Sequence, residues 1–288
     1  MAASHLKFGA HIFLWIERWD DAALPLLDRA AGLGLSCLEI AVGDEVTLDA
    51  ARLRRSAQAA GVEIVLSPGG IWPAECDISA DDPAHRQRGV EWHARWIGRA
   101  GECGATAYTG GLYGHPGTVL RRRPPADEPK RTAENLHRLA ERAQREGVTL
   151  ALEPMSRFRT HVANTPAQVM RLIELADHPR LRVLLDTYHV QTEVRDYAEA
   201  VRILAPRLWG LHACENDRGV PGGGLIPWAA LFAALNAVGF SGHVLLESYN
   251  TRLGDFAFRR GLFQDLCPDG DAFVRQGLAF LKKGFRIP

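Results

Sequence analysis

Eight times along this chain a short, β-favouring apolar run gives way to a longer stretch with helical periodicity. The first four pairs are KFGAHIFLW with AALPLLDRAAGLG, CLEIAVG with LDAARLRRSAQAAG, VEIVLSPGG with PAHRQRGVEWHARWIGRAG, and ATAYTGG with KRTAENLHRLAERAQREG. The last four are VTLALEP with TPAQVMRLIELAD, LRVLLDTYH with YAEAVRILAP, LWGLHACEND with PWAALFAALNAVG, and HVLLESY with DAFVRQGLAFLKKG. Nearly continuous apolar strands between helices mark a parallel sheet covered on its outer face. Eight repeats favour closure into a (β/α)8 barrel over an open doubly wound sheet, and no early G-x-G-x-x-G supports a dinucleotide fold. The expected class is therefore α/β, one TIM-barrel domain spanning residues 1–288. Helix punctuation agrees: Asp20 and Asp82 suit N-caps, Pro83 a first helical position, and Gly61 a helix end. LYGHPGTVLRRRPPADEP and the VPGGG around Gly222 are expected as loops.

Charge and cysteines narrow the function class. Lys plus Arg and Asp plus Glu both number 34, so the formal net charge is +0 and no basic field calls for nucleic acid or a membrane surface. The runs Arg52–Arg55 and Arg121–Arg123 are expected as a solvated helix face and a loop. No apolar stretch approaches the ~20 residues that span a bilayer, and the first residues lack a signal-peptide pattern. Cys37, Cys76, Cys103, Cys214 and Cys267 are dispersed, an odd set suited to reduced thiols in a cytoplasmic protein.

Four polar residues stand at the ends of the fifth to eighth apolar runs: Glu153, Asp186, His212 and Glu247, separated by 33, 26 and 35 residues. In a barrel consecutive strand ends are neighbours, so these side chains can converge at one mouth. Three carboxylates and one imidazole suit Mn2+, with Co2+ and Mg2+ as alternatives. Any one of them alone would also be explained by a turn cap or a pair with an arginine. His11, Glu39 and His115 are further candidates near the mouth, and Trp15, Trp72 and Tyr113 are candidate apolar walls for a bound ligand. Glu193 is expected either to face the substrate or to cap the next helix.

EPMSRFRTH, LLDTYHVQTE, HACENDRGVPGGG and LLESYN resemble signature segments of the ketose 3-epimerases, the D-tagatose and D-psicose 3-epimerase group of the xylose isomerase-like TIM barrels. DTYH and H-x-x-E-N-D-R-G are the most specific pieces, and the likeness in layout extends to the N-terminal half. The resemblance implies metal ligands at Glu153, Asp186, His212 and Glu247, with Glu153 and Glu247 also the acid/base pair. It puts His189 and Arg218 on the oxygens near the reacting carbons and Tyr249 beside the substrate. The implied reaction inverts C3 of a free ketose of the D-tagatose, D-fructose, D-psicose or L-ribulose type through a metal-stabilised enediolate. It also implies a homodimer or homotetramer.

One position departs from the pattern. The family carries a second glutamate six residues after the first ligand, where it meets substrate hydroxyls; here that residue is Arg159. A hydrogen-bond acceptor has become a cation that only donates. Three consequences stand open: an anionic substrate held by Arg159, a different reaction such as aldose–ketose isomerisation or elimination of a phosphorylated or acidic sugar, or an Arg159 turned out of the site.

Overall fold

The computed structural model describes residues 6–287 and shows a closed barrel of eight parallel strands in chain order. The strands are β1 (Lys7–His11), β2 (Cys37–Ala41), β3 (Glu63–Ser67), β4 (Ala107–Gly110), β5 (Thr149–Leu152), β6 (Leu181–Asp186), β7 (Leu208–Ala213) and β8 (His243–Leu246). The helices are α1 (Leu26–Gly32), α2 (Ala50–Ala60), α3 (Pro83–Cys103), α4 (Glu128–Glu146), α5 (Pro166–Ala176), the single turn α6 (Thr187–Val190), α7 (Tyr197–Leu204), α8 (Trp228–Ala237), the short α9 (Phe256–Arg259) and α10 (Gly270–Gly284). β1 pairs with both β2 and β8, so the sheet has no free edge. Among the described residues no helix is long and apolar enough to cross a membrane.

The expected punctuation is largely in place. Asp82 accepts from the Ala84 amide with Pro83 behind it, Thr165 and Gln168 form a capping box on α5, and Gly61, Gly104 and Gly147 end their helices in the left-handed conformation. Two boundaries differ. KFGAHIFLW leaves the sheet at His11 and continues as a 3-10 turn over Ile12–Leu14, because His11 takes the Phe13 amide on its side chain. Asp20 caps a 3-10 turn at Asp21–Ala23, and α1 begins only at Leu26.

The barrel interior explains where polar residues must go. Side chains alternate across a strand with period two, so residues two apart share the inward face. Cys37, Val65, Ala107 and Leu245 form a fully buried apolar layer inside the barrel. At β1 this layer has no room for a side chain, since a Cβ on Gly9 would stand 2.5 Å from Leu245 and 2.7 Å from the Cys37 carbonyl. Two residues further along each strand, the same inward face carries His11, Glu39, Ser67, Thr109, Glu153, Asp186, His212 and Glu247. Every strand thus contributes one polar residue to a ring at the C-terminal mouth, resting on an apolar plug.

Candidate active site

Glu153, Asp186, His212 and Glu247 each offer one ligand atom to a cluster in which all four lie within 4.8 Å of one another, and all four are buried. Register places Asp186 directly opposite His212. His212 Nδ1 lies 3.2 Å from Glu153 Oε1 and 3.3 Å from Glu247 Oε2. Its other nitrogen, Nε2, lies 2.6 Å from Glu39 Oε2. Glu39 is wholly buried and takes a second hydrogen bond, from Thr109 Oγ1 at 2.6 Å.

The Glu39 contact sets the direction of His212. A metal-binding imidazole is oriented by giving its far N–H to a carboxylate, which leaves the near nitrogen to ligate. Burial opposes the Glu39 charge, but the His212 and His11 imidazoles and the two hydrogen bonds hold its carboxyl down at about 2. Glu39→Gln is expected to weaken divalent-metal binding roughly 10- to 100-fold with the fold retained. Calorimetric titration of the variant measures this, and an unchanged affinity would show that Glu39 does not orient His212.

Charge in the site is strongly unbalanced. Four buried carboxylates, Glu39, Glu153, Asp186 and Glu247, face one buried guanidinium, Arg218. Burial drives the Glu153 carboxyl upward, with the Asp186 and Glu247 charges acting the same way against His212. Burial also opposes the Asp186 charge, yet Arg218 and the two imidazoles hold that carboxyl well below the usual range. The His212 imidazole is raised well above its ordinary value against burial by Glu39, Glu247 and Glu153. This excess of oxygen donors with one imidazole fits a divalent cation, which would draw its ligands from Glu153, Asp186, His212 and Glu247.

Arg218 stands at the centre. Its Nη1 donates to Asp186 Oδ2 at 2.8 Å and Glu247 Oε2 at 2.6 Å, and its guanidinium lies 4.2 Å over the Tyr188 ring. Its backbone is left-handed, φ 71°, which costs a non-glycine residue about 1 kcal/mol and is stored where function needs it. The loop that imposes it is fastened by Glu215, whose carboxylate accepts from Gly222 N, Ile226 N and Trp228 Nε1. His189 sits 3.3 Å from Arg218, and burial lowers its imidazole to about 3, so it is neutral. Burial raises the Cys214 thiol to about 12, which keeps this neighbour of Arg218 out of the chemistry.

The cleft above the ring is lined by His189, Arg218, Tyr249 and Arg159 among others, so these sequence-picked residues meet in one space with Glu153, His212 and Glu247. Arg159 therefore faces inward. None of the three expected wall residues, Trp15, Trp72 and Tyr113, lines it. Trp15 stands in the turn after β1 and donates its Nε1 to Asp271 at 2.8 Å, while Tyr113 is wholly buried, its hydroxyl within hydrogen-bond distance of the Glu153 and Ala163 carbonyls. Trp15 thus ties the turn after β1 to α10, and Tyr113 braces the segment that carries Glu153. Trp72 stacks on Trp92, His115 binds the Trp72 carbonyl, and Glu193 pairs with Arg157. His11 and Glu39 line the cleft, and Phe13, Tyr188, Met155 and Arg260 join it without having been singled out.

The sequence model of the family described as Xylose isomerase-like TIM barrel matches residues 27–284. An L-ribulose 3-epimerase of Mesorhizobium japonicum is 30% identical over 281 residues, covering 96% of this chain and 94% of its own. A D-psicose 3-epimerase of Agrobacterium fabrum is 26% identical, covering 96% and 98%. Among solved structures, an L-ribulose 3-epimerase superposes with a TM-score of 0.90 at 30% identity, covering 98% of this chain and 95% of that one. A D-allulose 3-epimerase from Methylomonas sp., in complex with D-allulose, superposes with a TM-score of 0.89 at 25% identity, covering 98% of both chains.

Proposed function

The chain belongs to the xylose isomerase-like TIM barrel family, and within its ketose 3-epimerase group we propose that it inverts C3 of a ketose with Glu153 and Glu247 as the proton-transferring pair. The observation that supports the reading is a pair of buried glutamates, each 3.2–3.3 Å from His212 Nδ1, lining one cleft together with Arg218 and His189.

Inversion at C3 requires removal of a proton α to the C2 carbonyl and its return to the opposite face. One glutamate takes the C3 proton, the electron pair moves through C2 onto its oxygen as an enediolate, and the second glutamate donates a proton from the other side. Burial of Glu153 disfavours its charged form, which makes its carboxylate a stronger base than one in water. Arg218 and the neutral His189 hold the two oxygens as charge accumulates, and Asp186 keeps the guanidinium aimed. A bound divalent ion supplies Lewis-acid stabilisation of that charge. The apolar layer closes the barrel beneath the ring.

The finer parts of the reading have their own supports. The donor set suits Mn2+ ahead of zinc, which takes more nitrogen and sulfur. Five free, buried cysteines suit a reducing cytoplasm. Phe158, Phe258 and Phe263 expose large apolar rings of the kind a homodimer or homotetramer covers. Incubation with D-fructose, D-tagatose and L-ribulose plus Mn2+ tests the reaction: a C3 epimer is expected. An aldose product would indicate isomerisation instead, and loss of water would indicate a lyase.

A further inference from the structure

The floor of the cleft is acidic, but its outer wall is basic. Arg159 lies in the loop that follows β5 and Arg260 in the loop that follows β8, directly after α9, and both line the cleft. Among the described residues neither guanidinium has a carboxylate within ion-pair distance. Glu247, a carboxylate that lines the same cleft, is paired with Arg218. Arg260 gives one hydrogen bond to the Gly69 carbonyl and lies 4.8 Å over the Phe256 ring. The Arg159 side chain makes no hydrogen bond to another described residue, although it is only partly exposed.

Two like charges share one cleft, and neither is neutralised. Burial first, and then the Arg260 charge, pull the Arg159 guanidinium below its usual range. A guanidinium nonetheless stays charged at physiological pH, so the arrangement costs stability that a bound anion would recover. The floor is taken by the reacting C2–C3 end of the sugar in the epimerase reading, which leaves the two arginines for the anion. It belongs at the outer end.

We propose that the substrate is an anionic ketose, carrying a carboxylate or a phosphate at the end of the chain remote from C2 and C3, held between Arg159 and Arg260. The assignment of C2 and C3 to the floor rests on the epimerase reading; the clamp rests on the two arginines. The planar forks of two guanidiniums match the oxygens of either anion.

Binding of D-fructose 6-phosphate, D-tagaturonate and D-fructose to the Mn2+-loaded protein, followed by calorimetry, tests this, with C3 exchange in D2O recorded alongside. At least one anionic ketose is expected to bind 10-fold or more tightly than D-fructose, and the tighter of the two identifies the anion. Arg159→Gln and Arg260→Gln are each expected to cut that preference about 10-fold, Arg159→Lys to restore part of it, and added salt to erode it. Arg159→Glu, which returns the family's carboxylate, is expected to turn the preference toward the neutral sugar. Equal affinity for all three sugars, or a preference that survives both glutamine variants in folded protein, overturns the clamp. Anion binding through the arginines with no C3 exchange on any sugar supports the clamp and retires the epimerase reading. Exchange of D-fructose with no preference for anions does the reverse.

Discussion

Glutamine in place of Glu247 is expected to lower epimerisation by about 10²–10⁴-fold, with the fold intact. The amide keeps the size of the side chain and leaves an oxygen for Arg218 Nη1, now 2.6 Å from Glu247 Oε2, but it neither takes nor gives a proton at neutral pH. Glu153→Gln is expected to cost the same. The paired result separates a two-base mechanism from one in which a single group works on both faces. With one glutamate left, each variant should still exchange the C3 proton of one epimer with solvent, and the two variants should differ in which epimer that is. Proton NMR of both C3 epimers in D2O reads this directly. If both epimers exchange in either variant, the assignment of one glutamate to each face is wrong. If the unchanged protein exchanges no ketose while metal affinity survives Glu247→Gln, a sugar-binding barrel without turnover becomes the better account.

Much of this architecture is written in the sequence because two periodicities do not overlap. Strand runs of four to six residues alternate with a main helix of seven or more in each repeat, and the eightfold repeat leaves few topologies that close. Glu153, Asp186, His212 and Glu247 were legible because each ends an apolar run. Glu39 and Thr109 carried the same signal, two residues beyond Cys37 and Ala107, but lie within runs that remain wholly buried, where a lone polar residue gives no sign of its partner. Only the closed barrel brings Glu39 to His212, 173 positions away in sequence. Trp15 and Tyr113 failed for a related reason. An aromatic near a strand end can turn into the cleft or behind it, and that choice belongs to loop hydrogen bonds such as Trp15 Nε1 to Asp271, which join opposite ends of the chain. The inward turn of Arg159 was equally unreadable, since it is set by the course of the loop after β5.

The same crowding of acids makes divalent-metal affinity a steep function of pH. Without a cation, the carboxylates around His212 hold its imidazole protonated well above the ordinary value, and burial keeps the Glu153 carboxyl above its own ordinary range. Both groups must lose a proton to ligate. A proton displaced on binding makes affinity rise about tenfold per pH unit for as long as the free site would carry it. Both shifts are upward, so the dependence persists above about pH 6.5, where an unperturbed histidine would already be neutral. Above about pH 6.5 the dissociation constant for Mn2+ is therefore expected to keep falling as pH rises, by about tenfold per pH unit where one of these protons is displaced and about 10²-fold where both are. Calorimetric titration in buffers of different ionisation enthalpy counts those protons. Glu39→Gln should reduce the count, because the imidazolium loses the nearest carboxylate that stabilises it. A flat pH profile with no proton release would mean that the ring binds its cation without His212 Nδ1, and would return that nitrogen to a purely structural link between Glu153 and Glu247.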